Sequence, residues 1–140
     1  MSSVFGRFCL LVLLAAAFAY PIEARAQTNS AAEAKTIPRY LVYFDEFSAY
    51  LSPESKAKIA LVAKQAKAEG IKMITVQARA SATGTVQTNK YLAMTRASIV
   101  ADELEADGIA PTMIEQEPIG QTGSSDPSVF NRRVDIILHP

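Results

Sequence analysis

The chain has 140 residues with 14 basic and 14 acidic side chains, one histidine and one cysteine. That is one domain of ordinary size. An even charge balance argues against nucleic acid as a partner. The single cysteine rules out an internal disulfide framework and a thiolate metal cluster.

Residues 1–26 read as a secretion signal. Arg7 gives a positive start, "FCLLVLLAAAFAY" is apolar but too short to span a bilayer, and "ARA" before Gln27 has the form of a cleavage site. Cleavage would remove Cys9, Arg7, Arg25 and Glu23 and leave one net negative charge. The bulky "GRF" before Cys9 argues against lipid attachment there. No later segment is apolar and long enough to cross a membrane as a helix. Residues 27–37 read as a short polar tether, and 38–140 as the domain.

"RYLVYFD" (39–45) has the β-branched and aromatic content of a strand buried on both faces. "SPES" opens a helix, with Ser52 as N-cap, Pro53 at the first helical position and Glu54 in the first turn. Ile59, Val62, Ala63 and Ala66 share one face of it, the lysines lie mostly elsewhere, and Gly70 stops it. In "IKMITVQARA" (71–80), Ile74, Val76 and Ala78 alternate with Thr75, Gln77 and Arg79, the pattern of a strand with one dry face. "SATGT" is a loop. A second helix is expected from about Thr88 to Asp107, ending at Gly108. "TMIEQEPIG" is a third strand, placed at an edge by Pro118. "RRVDIILH" (132–139) is the last, with Val134, Ile136 and Leu138 on one side.

The order β-α-β-α-β-β, with one apolar face per helix, predicts an α/β two-layer sandwich. One charge breaks the pattern. In the second helix Arg96 falls in the apolar arc shared by Leu92, Ile99, Val100 and Leu104. A guanidinium there needs an anionic or carbonyl partner, supplied by the protein (Asp45, or strand-end carbonyls) or by a ligand.

Four stretches, "VYFDEFSAYLSPES", "ITVQARASATGT", "NKYLAMTRASIVADELEADGI" and "NRRVDIIL", together resemble the OmpA-like domain that attaches envelope proteins to peptidoglycan. They keep the family's order and spacing over about residues 39–138. The resemblance implies a periplasmic module, associated with the outer membrane or cell wall, that binds the diaminopimelate group of the peptide stem non-covalently. Arg96 matches the arginine of the family's Leu-Ser-x-x-Arg-Ala pattern, which meets a ligand carboxylate. A planar guanidinium suits that bidentate contact better than an ammonium does.

Two departures stand out. The family's Gly-His-Thr-Asp, whose aspartate holds the ligand ammonium, is here Ala78, Arg79, Ala80 and Ser81. Losing that charge-assisted bond costs on the order of 1.5 to 3 kcal/mol, or roughly ten- to a hundredfold in affinity. In the first loop, the family's aromatic followed by Asp or Asn becomes Glu46 followed by Phe47.

The candidate ligand residues are therefore Arg96, Ser81, Arg79, Asn89, Asp45 and Arg133. Each has a plainer alternative. Ser81 can be a turn residue, Arg79 an exposed strand residue, and Asn89 the cap of the second helix. Arg132 and Arg133 are neighbours on a strand, so at most one faces a pocket. No catalytic constellation, metal-ligand spacing or phosphate loop is present, so neither an enzyme nor a cofactor is expected. The alternative function is an interaction domain for other envelope proteins that has lost its ligand.

Overall fold

The computed structural model describes residues 36–123 and 129–140. The expected signal and most of the expected tether lie outside them. The elements run β1 (Arg39–Tyr43), α1 (Pro53–Ala68), β2 (Met73–Ala80), α2 (Val86–Ala106), a short 3-10 turn (Pro111–Met113), β3 (Ile114–Gln121), a second 3-10 turn (Val129–Asn131) and β4 (Arg133–His139). This is the predicted order.

The four strands form one sheet in the order β1-β4-β2-β3. β4 pairs antiparallel with both β1 and β2, while β2 and β3 are parallel and joined through α2. A parallel pair requires a long crossover, and the α2 connection supplies it. β3 is an edge strand, as Pro118 demands.

The core lies between the sheet and the helices. Val42, Ile74, Val76, Val134, Ile136 and Leu138 point into it from the strands. From α1 come Ile59, Val62, Ala63 and Ala66, the face read from periodicity. α2 contributes Ala93, Ala97, Val100 and Leu104. Its alanines carry little bulk, which lets the helix backbone lie close to β2. Each buried Val, Leu or Ile contributes roughly 1.5–3 kcal/mol relative to exposure.

β1 corrects one expectation. It is not buried on both faces: Arg39 and Tyr43 are exposed and only Val42 is fully buried. The reason is the two-layer architecture, in which no helix among the described residues covers the second face of the sheet. That face carries Leu41, Gln77, Arg79, Arg133 and Asp135. On it the buried Asp135 carboxylate accepts from Arg79 Nη1 at 2.6 Å and Arg133 Nε at 2.9 Å, with Arg39 Nη1 at 3.6 Å. Gln77 Nε2 donates to Glu117 Oε2 at 3.0 Å beside this cluster.

α1 starts as read, with Ser52 Oγ accepting from Ser55 N. α2 starts earlier than expected. Thr85, not Asn89, is its N-cap, and Thr85 Oγ1 accepts from Thr88 N at 3.1 Å. Both helices end at glycines with positive φ, Gly70 and Gly108. After α2, Ile109 N donates to Leu104 O and Gly108 N to Glu105 O, closing the last turn in a Schellman arrangement.

Candidate ligand site

The candidate site forms at the end of the sheet where β1 and β2 finish and β4 begins. Two loops meet there: residues 44–52, leading from β1 into α1, and residues 81–85, leading from β2 into α2. The first is anchored by the buried Phe44 and Leu51. Phe44 N donates to Arg132 O at 2.9 Å, and Arg132 Nε donates to Phe44 O at 3.3 Å, tying the start of the loop to the entrance of β4.

Arg96 reaches this junction from the middle of α2. It is fully buried. Nε donates to Ser48 O at 2.8 Å, Nη2 to Asp45 O at 2.9 Å and Nη1 to Arg79 O at 3.1 Å. Its guanidinium carbon stands 5.0 Å from the centre of the Phe44 ring, a cation–π contact. One side chain thus joins the first loop to the end of β2. A buried cation must have its donors satisfied, and main-chain carbonyls satisfy these.

Among the described residues, no carboxylate lies within ion-pair distance of Arg96. Burial, with repulsion from the Arg132 guanidinium as the lesser cause, lowers its pKa from the usual arginine value to about 10. It stays protonated at neutral pH, so the junction holds a positive charge that carbonyl dipoles stabilise without neutralising.

The carbonyls come from a tight turn. Ser48 N donates to Asp45 O at 3.2 Å, closing a turn over residues 45–48. Phe47 sits in it at φ 53°, the one non-glycine residue with positive φ among the described residues. A bulky side chain is disfavoured there, whereas Asn and Asp tolerate it.

The six candidate residues separate. Asp45 contributes its carbonyl to Arg96, while the residue itself is exposed. Arg79 likewise contributes its carbonyl, but its guanidinium lies on the opposite face of the sheet, on Asp135. Arg133 also binds Asp135 and donates to Phe130 O, so its side chain is not at this junction. Ser81 is buried, and its hydroxyl donates to Thr83 Oγ1 over a long 3.4 Å. Asn89 is buried too, with Nδ2 3.4 Å from Gln121 Oε1.

Arg132 is the arginine that approaches Arg96, and the alternation of β4 contained the signal. Arg132 has the parity of Val134 and Ile136, which face the helices, whereas Arg133 has that of Asp135. Phe44 and the Ser48 carbonyl carried no comparable signal.

A buried guanidinium ties the loop after β1 to the end of β2 at one end of a β-α-β-α-β-β sandwich, and the sequence around it has a family. The model of the OmpA family matches residues 43–132. The chain belongs to the OmpA family.

Among solved structures, the fold is similar to the OmpA-like domain of FopA1 from Francisella tularensis, with a TM-score of 0.64 and 24% identity over 73% of this chain and 72% of that one. It is also similar to the peptidoglycan-associated lipoprotein of Burkholderia pseudomallei, with a TM-score of 0.62 and 24% identity over 71% and 89% of the two chains. The periplasmic domain of Helicobacter pylori MotB gives 0.62 and 21% identity, over 74% of each chain. A comparison with curated proteins gives no match.

Proposed function

We propose that this protein is a non-covalent peptidoglycan-binding module of the bacterial cell envelope, acting in the periplasm without catalysis and recognising the diaminopimelate group of the peptide stem. The observation that carries the reading is the buried Arg96 charge, which no carboxylate among the described residues neutralises and which Arg132 further opposes. A ligand carboxylate is the group this charge calls for.

A guanidinium has five N–H donors, and the three named carbonyls each take one. The guanidinium as a whole is closed off from solvent by its surroundings. The charge also acts through the low-dielectric cover before contact, since interactions there are screened less than in water. The resemblance of fold to a peptidoglycan-associated lipoprotein agrees with this function.

A second reading, an interaction domain for envelope proteins that has lost the ligand, is favoured by one observation: Ser81 stands where the family's aspartate holds the ammonium, and it is buried. Co-sedimentation with purified sacculi separates the two. Wild type is expected in the pellet, and Arg96→Lys, which keeps the charge but not the fork, is expected to bind about tenfold more weakly, a loss of roughly 1.4 kcal/mol. If wild type stays in the supernatant and Ser81→Asp brings it down, the second reading holds. Equal pelleting of wild type and a folded Arg96→Lys removes Arg96 from the site.

A further inference from the structure

Phe47 is costly by local rules, and it is 60% exposed. A bulky residue at φ 53° is a backbone outlier, and an exposed aromatic ring recovers little by burial. The turn is held from both sides, because the Asp45 and Ser48 carbonyls are both bound to Arg96. The ring therefore has a fixed place. A Cβ built at Gly84 would stand 3.6 Å from Phe47 Cε1, so the ring lies against loop 81–85 with much of its surface open to solvent.

Loop 81–85 is the segment in which the family's ammonium-binding acid is missing. Ser81 has no charge, is buried, and turns its hydroxyl toward Thr83. The first loop thus presents an aromatic ring beside the loop that lost its carboxylate. An aromatic face binds ammonium groups through its quadrupole.

We infer that Phe47 is a specificity-determining residue that receives the ammonium end of the ligand, replacing an ion pair with a cation–π contact. The inference rests on the diaminopimelate reading above. Glu46, the neighbouring exposed acid, is the competing group. A cation–π contact of this kind changes affinity by about two- to thirtyfold.

The test is an NMR titration of the full chain with meso-diaminopimelate and with pimelate, which has the same two carboxylates and no ammonium. Wild type is expected to prefer diaminopimelate. Phe47→Asn, which suits the turn, is expected to lose that preference and leave pimelate binding unchanged, while Glu46→Gln keeps most of it. The spectrum of each variant reports whether it is folded. If a folded Phe47→Asn keeps the wild-type preference, or Glu46→Gln abolishes it, the role of Phe47 is overturned while the binding reading stands. If wild type binds neither compound nor sacculi, the binding reading fails and this inference fails with it.

Discussion

Arg79 Nη1 meets Asp135 Oδ2 at 2.6 Å across β2 and β4, while the Arg79 carbonyl accepts from Arg96 on the other side of the same strand. A single residue thereby belongs to two charge systems. Its side chain helps neutralise a buried acid, and its main chain stabilises a buried base.

Asp135→Asn leaves Arg79 and Arg133 close together without their shared anion. Removing one partner of a buried ion pair costs about 3–5 kcal/mol, and urea unfolding is expected to show a loss of that size. Sacculus binding by the folded fraction is expected to be unchanged, since the cluster lies on the face away from Arg96. A loss below about 1 kcal/mol would mean that solvent already screens the cluster as it does a surface pair.

Phe47→Asn has a second, independent readout. Residues held in sparsely populated backbone regions cost of order 1–3 kcal/mol, and asparagine adopts the left-handed region more readily. The variant is expected to be about 1 kcal/mol more stable than wild type, raising Tm by roughly 5 °C for a domain of this size. A fall in Tm on calorimetry would show that contact with loop 81–85 outweighs the strain.

Glu54 gives an acid-side prediction. Its pKa is lowered from 4.5, first by a backbone N–H at its own position and then by the Ser52 hydroxyl, with burial slightly opposing. A carboxyl whose folded pKa is depressed contributes stability at pH above its unfolded value, and that contribution is lost as pH falls through the folded value. Wild type is therefore expected to be more stable than Glu54→Gln at pH 7, and the two are expected to converge well below pH 4.5. Thermal melts across that range check it. A gap that persists at low pH would assign the effect to helix propensity.

The layers of the fold were legible because they depend on side-chain periodicity. Ile59, Val62, Ala63 and Ala66 recur on one helical face, Val134, Ile136 and Leu138 on one strand face, and all are buried. β1 misled because its apolar content matches a doubly covered strand. Which layers surround a strand is a property of the whole topology, and its own residues do not specify it. The start of α2 was missed because Thr85 lies before the periodic pattern becomes visible, while Asn89 looks like a cap and is buried instead.

The candidate site was legible only in part. Arg96 announced itself as a charge in an apolar stripe. Its partners are carbonyls of Asp45, Ser48 and Arg79, and every residue has a carbonyl, so no residue type marks them. The left-handed turn at Phe47 is hidden for the opposite reason, because its side chain argues against the conformation it adopts. The parity rule that separates Arg132 from Arg133 was available in the sequence, and needed only the identification of Val134 as inward-facing.

β1 and β4 also set how the domain carries load. Leu138 N donates to Pro38 O, which puts the point where the chain enters the sheet beside the end of β4, whereas Phe44 and Arg132 meet at the far end of the same strand pair. A pull between residue 36 and the Arg96 loops therefore runs lengthwise along β1. The β1–β4 hydrogen bonds lie across that direction and resist in shear, sharing the force as a set where a peeling pull would open them one by one. β1, which has only Val42 fully buried, is thus the strand placed to bear tension along its own length.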